Sequence, residues 1–581
     1  MRPLRGVRTL CVAVALASLG APAFAKNAPS YTDTIDAGDS LAGNYLSAVV
    51  AGNARDTSAA AFFYSEALRD DPKSNDLIDR AFVALLAEGT YPEALRLADR
   101  IVQREPNHGL AQLALATRDL RAKNYQKART RLANNGKGRA ATDLTGSLLT
   151  AWSWLGSGNL KKALATVDGI KGEDAVATFR DFHAGLIADL GGDTAEAEKR
   201  LAAAYKVENK TLRMVDVYSR FLARHGKTAE AKQVLEDFNK ALPRHPIILD
   251  TLKRIEEGKP IEAAVPSVSA GVAEVLYGLG AAGNRQGDEL AAMLYLRLSL
   301  WMDPTNGLAI ITLADVYDRL KQPERANDTY DMVPEGSPLK RSAELQVALN
   351  LEQLDRKDEA VLKLDKIIAA EPKDIDALNA LGNVYRARKD FAKAADTYTR
   401  ALDAIEKPDN GYWSIYYFRG IAYERTKQWP KAEADFKKAL ELYPDQPMVL
   451  NYLGYSWVDQ GMNLDEAFKM LKKAVEQRPT DGYIVDSLGW AYYRLGRYDE
   501  ATRILEKAVE LKPADPVIND HLGDAYYRVG RKLEATFQWN HARDLKPEPD
   551  DLKVILKKIE KGAIEDETPA AAEVEKKANG G

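Results

Sequence analysis

The side chains of this sequence that could do chemistry are few and scattered. Six histidines stand at positions 108, 183, 225, 245, 521 and 541, with no His-Glu-x-x-His motif and no paired spacing that suits a metal ion. For His521 and His541, which stand in the same stretch near the end of the chain, a packing or solvated role explains them better than a metal site. Serine, histidine and aspartate do not occur in a local arrangement that indicates nucleophilic catalysis. We therefore predict that the protein is not an enzyme, with no catalytic residue, no metal site and no cofactor.

One segment invites comparison with a phosphate-binding loop. The run from Asn134 to Gly138 is basic and contains two glycines. It lacks both the leading glycine and the hydroxyl residue after the lysine that such a loop requires. We predict a flexible basic loop there.

The first 25 residues have the layout of a secretory signal peptide. Three arginines precede an apolar run from Leu10 to Leu19, and Ala23 to Ala25 end the segment. We expect export from a bacterial cytoplasm with cleavage after Ala25. The one cysteine, Cys11, lies near the start of the apolar run, which disfavours a lipid anchor. No later stretch reaches the roughly 18 apolar residues of a membrane helix, so we expect no integral membrane segment in the mature chain.

The composition argues against nucleic acid as a partner. The 581 residues include 45% hydrophobic and 29% charged side chains, which is ordinary for a soluble protein. Loss of the signal segment takes the 81 basic side chains to 78 against 85 acidic ones, and the formal charge from -4 to -7. Nucleic-acid binding needs a basic surface, which this balance does not supply.

A repeat of 34 or 35 residues dominates the rest of the sequence. In its clearest copies a Leu-Gly pair ends at Gly454, Gly489 or Gly523, and an aromatic residue follows three positions later. An alanine comes twelve or thirteen residues after each glycine, and a proline closes each copy. The alanines of the whole register are Ala60, Ala94, Ala128, Ala163, Ala197, Ala231, Ala292, Ala326, Ala360, Ala394, Ala432, Ala467, Ala501 and Ala535.

The position about twelve residues before each alanine tests this register. Two helices that cross closely tolerate only small side chains at the crossing, and Phe82 alone is large there. A longer step between Ala394 and Ala432 predicts a loop insertion around Lys407 to Gly411. The residues at the crossing position are Ala48, Phe82, Ala116, Ala151, Gly185, Ser219, Gly280, Ala314, Ala348, Gly382, Gly420, Gly454, Gly489 and Gly523.

The order Leu-Gly, aromatic, Ala and Pro resembles the tetratricopeptide repeat. The resemblance implies an all-α solenoid of helix-turn-helix hairpins. The segments Leu252 to Gly258 and Leu556 to Gly562 are alike, and each follows the last proline of a run of repeats. We therefore predict two capped superhelical arrays. The predicted parts are a signal peptide (1–25), an N-terminal array with capping helix (41–258), a linker (259–271), a C-terminal array with capping helix (272–562) and a disordered tail (563–581).

The resemblance also implies a groove lined by the first helix of each hairpin. In the family, the residues three before the glycine, one after it, and four or five after it face that groove. Family members that clamp a carboxyl terminus carry lysine three before the glycine. We predict no such clamp, because that position here holds Asn379, Tyr417, Asn451, Asp486 and Asp520. In the second array the predicted groove residues are Asn379, Asn383, Arg386, Tyr417, Arg425, Asn451, Tyr455, Asp486, Trp490, Tyr493, Arg494, Asp520, Asp524, Tyr527 and Arg528.

This mixture of rings, amides, acids and arginines suits an extended peptide or a sugar chain. The first functional hypothesis is a periplasmic scaffold or adaptor that binds polypeptides. The second array resembles, in Asp486 to Trp490 and His521 to Asp524, adaptors of carboxyl-terminal processing proteases, and association with the outer membrane is left open. The second hypothesis is a polysaccharide-binding component of an export or envelope-biogenesis system. A cytosolic regulator comes third.

Overall fold

The computed structural model describes Gly38 and residues 40–133, 144–172 and 175–564. The predicted signal peptide, the Asn134 to Gly138 run and all but the first two residues of the predicted tail lie outside these residues. The described chain forms 30 α-helices and no strand, which confirms the all-α prediction. It divides into two compact units, the first running to Glu359 and the second beginning at Ala360.

The first unit contains eighteen helices, and a nineteenth, α19, runs across the division between the units. These helices are α1 (Leu41–Asn53), α2 (Thr57–Asp70), α3 (Asn75–Glu88), α4 (Tyr91–Arg104), α5 (Gly109–Arg121), α6 (Tyr125–Ala133), α7 (Leu144–Gly156), α8 (Leu160–Asp168), α9 (Ala175–Leu190), α10 (Thr194–Val207), α11 (Leu212–Arg224), α12 (Thr228–Ala241), α13 (Pro246–Glu256), α14 (Val268–Gln286), α15 (Glu289–Met302), α16 (Gly307–Arg319), α17 (Pro323–Tyr330), α18 (Lys340–Gln353) and α19 (Lys357–Ala370).

The second unit continues the same alternation of first and second helices. Its helices are α20 (Ile375–Ala387), α21 (Phe391–Asp403), α22 (Trp413–Arg425), α23 (Trp429–Leu442), α24 (Pro447–Asp459), α25 (Leu464–Gln477), α26 (Gly482–Arg494), α27 (Tyr498–Leu511), α28 (Pro516–Arg528), α29 (Lys532–Asp544) and α30 (Pro549–Lys561).

The small residues of the repeat lie where two helices of a hairpin cross. Every repeat alanine from Ala60 to Ala535 is buried. A Cβ atom at Gly489 would lie 2.6 Å from Leu505 Cγ, and one at Gly382 would lie 2.5 Å from Tyr398 Cε1. In each hairpin the large residue that meets the glycine stands four positions after the alanine, so the alanine and the glycine together set the crossing. The predicted register of hairpins is confirmed.

Phe82 fits the crossing because this hairpin has its large side chain on the first helix and its small one on the second, the reverse of the other hairpins. Phe82 is fully buried on α3, and four positions after the repeat alanine of that hairpin stands Ala98, also fully buried, on α4. Ala98 occupies the position that holds Leu505 or Tyr398 elsewhere. The volume lost on the second helix is thus supplied by the first, as close packing of a protein interior requires.

The hairpins begin and end at residues with a clear local reason. Before α28, the Asp515 carboxylate accepts hydrogen bonds from the backbone N–H groups of Val517 and Ile518 at 3.0 and 3.1 Å. Pro516 is the first residue of that helix, where a missing N–H costs nothing. The predicted insertion is confirmed, because the residues from Lys407 to Gly411 lie outside the helices between α21 and α22.

A single helix follows the last hairpin of each predicted array. Helix α13 packs on α11 and α12, and α30 packs on α29. Ile247 and Ile248 are buried in α13, and Ile555 is buried in α30. These are the positions that the sequence assigned to the two capping helices.

The hairpin α14–α15 packs across the first helices of the N-terminal hairpins. Helix α15 contacts α3 and α5, while α14 contacts α7 and α9. Tyr91 and Trp301 stack with ring centroids 4.9 Å apart. A Cβ at Gly271 would lie 2.3 Å from the Trp152 ring, so only glycine lets α14 approach α7 this closely. The chain's own hairpin therefore covers the side on which the first array would offer a groove.

This packing differs from the predicted linker at 259–271. Helix α14 begins at Val268, three residues before the predicted end of that linker, because the Ser267 hydroxyl caps it by accepting from the Ala270 N–H at 3.1 Å. The compact unit also continues past the linker to Glu359, since α14 and α15 share the core of the preceding hairpins. The sequence limits of the two repeat arrays stay a prediction.

Candidate partner-binding face

The first helices of the second unit lie side by side. Helix α20 contacts α22, α24 contacts α26, and α26 contacts α28. All fifteen residues that the sequence predicts for the groove stand on these five helices. We call the surface defined by those fifteen residues the groove face, and describe below which of its side chains are accessible and which are already engaged.

Five residues of the groove face are buried within the protein rather than open to solvent. Arg425 is exposed, and the other nine groove residues are half-buried. The buried five therefore shape the face from beneath, and the half-buried residues offer most of its contact surface. The buried residues are Tyr417, Asp486, Trp490, Tyr493 and Asp524.

Trp490 lies at the centre of a stack of three rings. The Tyr493 ring is stacked on it at 4.6 Å with an interplanar angle of 8°, and the His521 ring at 4.0 Å with an angle of 14°. His521 Nδ1 lies 3.0 Å from Asp486 Oδ1, which holds the imidazole in this position. The stack joins α26 to α28, and its rings serve packing.

Burial alone would lower the pKa of His521, but the carboxylate of Asp486 outweighs burial. Its charge and hydrogen bond, with the charges of Asp520 and Asp524, raise the pKa of His521 above its ordinary value. The sequence had assigned His521 to a packing or solvated role, and it is buried. Its pairing with Asp486 was missed, although the two residues stand 35 positions apart, one repeat length.

The acids at the end of the groove face are held by the capping helix. Lys558 Nζ of α30 donates to Asp520 Oδ2 and to Asp524 Oδ2, both at 2.7 Å. Trp539 Nε1 donates to Asp524 Oδ1 at 2.9 Å. Burial raises the pKa of Asp524 to about 6, while the charge of Lys558 opposes that rise. These carboxylates, predicted to face a partner, already bind a cation of this chain.

The two raised pKa values predict that the second unit gains stability on acidification. In both groups the folded state binds the proton more tightly, so the stabilisation is present at low pH and is lost as pH rises through the folded values. We expect the free energy of unfolding to fall as the pH rises from about 4, the ordinary range of an aspartate, through the ranges in which the two folded groups lose their protons. Urea unfolding followed by circular dichroism at a series of pH values measures it.

The His521→Gln variant is expected to show a shallower fall above about pH 6.5, the ordinary pKa of a histidine, because it lacks the imidazole that binds its proton more tightly in the folded state. His541→Gln is the matched control, because His541 is exposed. Equal slopes for the two variants would contradict a role of the His521 and Asp486 pair.

The N-terminal end of the groove face is built from amides and a guanidinium group. Tyr398 donates its hydroxyl proton to Asn383 Oδ1 at 2.7 Å. The Arg386 guanidinium lies over the Phe418 ring, 4.5 Å from its centroid. Burial raises the pKa of Tyr417 well above its ordinary value, with the charge of Arg386 opposing the rise. No acid of the protein is engaged in these contacts.

Several polar atoms of the groove face are buried without a hydrogen-bond partner among the described residues. Buried polar groups are paired in the great majority of cases, and an unpaired one costs about 1–3 kcal/mol. Their concentration on five of the fifteen groove residues marks a face whose hydrogen bonds are incomplete in the free protein. The atoms are Asn379 Oδ1, Arg386 Nε, Asn451 Oδ1, Trp490 Nε1 and Asp520 Oδ1.

Two further observations concern the described residues. Within the described residues no helix combines the length and apolar character of a membrane span. The same residues contain no group of three or more His, Cys, Asp or Glu side chains arranged to hold a metal ion.

Comparison with known families supports the repeat assignment in the second unit. Models described as tetratricopeptide repeat match residues 374–445 and 417–482, and a model described as TPR repeat matches residues 489–530. These matches cover residues 374–482 and 489–530, which include every residue of the groove face except Asp486.

Curated relatives match over parts of their length. A TPR repeat-containing protein of Pseudomonas aeruginosa is 28% identical over 192 residues, which cover 32% of this chain and 31% of that protein. Tetratricopeptide repeat protein 13 of Homo sapiens is 28% identical over 140 residues, covering 23% of this chain and 15% of that protein. The chain thus spans less than a third of either relative.

Solved structures with the same hairpin repeat are also similar. The Cut9–Hcn1 hetero-tetramer of APC/C has a TM-score of 0.38 at 15% identity, covering 89% of this chain and 95% of that one. Yeast Tom70 has a TM-score of 0.29 at 12% identity, covering 90% and 95%.

Proposed function

We propose that this protein, an all-α tetratricopeptide-repeat solenoid, is a scaffold or adaptor that binds polypeptide partners on the groove face of its second unit. Tetratricopeptide repeats generally serve as non-catalytic protein-binding scaffolds. The proposed location is the bacterial periplasm, supported by the signal-like segment that ends at Ala25. The proposed partner is an envelope protease or an assembly factor, in keeping with the resemblance of Asp486 to Trp490 to protease adaptors.

The unpaired polar atoms of the groove face carry this proposal. An extended polypeptide presents an N–H group and a carbonyl at every residue. The Oδ1 atoms of Asn379 and Asn451 can accept from such N–H groups, while Arg386 Nε can donate to such a carbonyl. A bound polypeptide would complete bonds that folding alone leaves unmade. Each would recover part of the cost of burying those atoms.

The ring stack favours a polypeptide over a polysaccharide. Sugar chains bind by laying their C–H faces on open aromatic rings, and the polysaccharide hypothesis rested on Trp490, Tyr493 and Tyr527. Tyr493 and His521 are both stacked on Trp490, and Trp490 and Tyr493 are buried. Tyr527 is half-buried and packs near Trp539 at 5.9 Å. We therefore place the sugar chain second.

Substitution of the two asparagines separates binding from folding. Their Oδ1 atoms have no partner in the folded protein, so Asn379→Ala with Asn451→Ala is expected to leave the unfolding midpoint unchanged or raised. The loss of two hydrogen bonds to a partner is expected to weaken binding roughly tenfold. The chain without its first 25 residues serves as bait for affinity capture from envelope extracts, with cytosolic extract in parallel.

Gln477→Ala is the matched control, because it removes an exposed amide from α25, a second helix that carries no groove residue. We expect the unsubstituted bait and this control to recover the same envelope partner, and the double variant to lose it. Recovery of no protease, hydrolase or assembly factor from the envelope extract would sink the proposal. Equal recovery by the double variant would move the binding surface elsewhere.

A further inference from the structure

The charges of the groove face differ in how they are compensated. Asp459 on the same helices pairs with Arg494 at 3.6 Å, and Arg425 lies 3.8 Å from Glu424. Asp486 pairs with His521, and Lys558 neutralises the two acids of α28, as described above. The anionic end of the face is therefore satisfied by cations of the protein itself.

Arg386 stands apart from this pattern. Among the described residues no carboxylate forms an ion pair with it, and its Nε is buried without a hydrogen-bond partner. Its contacts are the Phe418 ring at 4.5 Å and the tyrosine hydroxyl of Tyr398. Lys389, three residues after Arg386 and beyond the end of α20, donates from Nζ to Glu548 Oε1 at 2.9 Å.

An arginine cannot remove its charge by losing a proton. A half-buried guanidinium that pairs with no anion therefore keeps an uncompensated charge. A carboxylate can neutralise that charge and accept two hydrogen bonds from the guanidinium in a bidentate pair. The guanidinium lies over the Phe418 ring, 4.5 Å from its centroid, and this contact supplies no negative charge. Asn379 and Asn383 lie on the same face of α20, at spacings of seven and three residues from Arg386.

We propose that Arg386 recognises the side-chain carboxylate of an Asp or Glu in the bound polypeptide. The inference rests on the proposed function, which supplies the polypeptide. A side chain is favoured over a chain terminus because the position three before Gly382 is Asn379 rather than the lysine of carboxyl-terminal clamps. The unpaired atoms continue beyond α20, to Asn451, Trp490 and Asp520, so the bound chain passes Arg386 and runs on along the face.

A random-peptide library tests this on the full chain without its first 25 residues. The peptides are displayed with their carboxyl ends fused to the carrier, so every carboxylate that they offer comes from a side chain. We expect the selected peptides to be enriched in Asp or Glu at one position. Arg386→Gln is expected to abolish that enrichment and to weaken a selected peptide roughly tenfold or more.

Two further variants separate charge recognition from structure. Arg425→Gln is the matched control, since Arg425 is an exposed arginine of the same face, and it is expected to keep the acidic preference. Arg386→Lys retains the cation and is expected to keep part of it. Selected peptides without an acidic position, or with one that survives Arg386→Gln, would overturn the inference and leave the proposed function standing. A library that yields no peptide would overturn both.

Discussion

Replacing Phe82 by alanine is expected to lower the free energy of unfolding of the first unit by about 3–5 kcal/mol. Phe82 is fully buried where α3 crosses α4, and Ala98 on the second helix is too small to fill the space that it would leave. The loss combines the transfer of a large apolar side chain to water with the cavity that remains. Urea unfolding followed by circular dichroism measures it.

Because Phe82 and Ala98 share one crossing, a second substitution at Ala98 tests whether their sizes compensate. Ala98→Leu alone is expected to destabilise by about 1–3 kcal/mol, because Phe82 already fills the crossing. In the double variant the leucine enters the space that Phe82 vacates, as Leu505 does opposite Gly489. The double variant should therefore be more stable than Phe82→Ala.

An exposed phenylalanine provides the control for the substitutions at Phe82 and Ala98. Phe537 is 67% exposed on α29, so Phe537→Ala is expected to change stability by no more than about 0.5 kcal/mol. Additive effects of the two changes at the α3–α4 crossing would show that Phe82 and Ala98 do not compensate one another. The register of the second hairpin would then have to be drawn differently.

The sequence predicts the hairpins because their cause is local and periodic. The alanine at each crossing recurs every 34 or 35 residues in most copies, and a small residue opposite it is enough to identify two helices that approach closely. Even the exception at Phe82 leaves a readable signal, since Ala98 stands where the other repeats carry a large residue. Element order and helix positions therefore follow from the chain itself.

The contacts that the sequence does not predict join residues far apart in the chain. Helices α14 and α15 pack on α3, α5, α7 and α9, which are far from them in the sequence. The pattern within a single repeat does not encode these contacts. The assignment of a linker at 259–271 failed at Val268 for this reason. A stretch rich in proline and alanine is compatible with either a linker or a buried helix start.

For the groove face, too, the sequence predicts the helical positions of the residues but not their tertiary contacts. The spacing around each glycine places all fifteen predicted residues on the five first helices, because that step is helical geometry. Which of them are free is a matter of tertiary pairing. Lys558 of α30 engages Asp520 and Asp524, and only the structure shows that no carboxylate of the described residues forms an ion pair with Arg386. Whether the fifteen residues bind a partner stays a prediction.

Arg213→Met is expected to destabilise the first unit by about 3–5 kcal/mol. The guanidinium of Arg213 on α11 donates from Nε and Nη2 to the Glu274 carboxylate of α14, at 2.9 and 2.7 Å. Its Nη1 donates to Asp216 Oδ2 at 2.6 Å. Both carboxylates are buried. Asp216 keeps Arg220 as a partner, whereas Glu274 would be left charged inside the protein.

Replacing Glu274, the buried acid that loses its partner, should therefore restore stability. Arg213→Met combined with Glu274→Met is expected to recover most of the loss, because a buried ion pair can be replaced by apolar side chains of similar volume at little cost. Arg69→Met is the control, since Arg69 pairs with Glu66 on the surface with 75% of its side chain exposed, and such pairs contribute about 0–1 kcal/mol. Urea unfolding of the unsubstituted protein, of each single variant at Arg213 and Glu274, and of the double variant gives the coupling energy. If the double variant were no more stable than Arg213→Met, Glu274 would not be the source of the loss, and the ion pair would not be what holds α14 against α11.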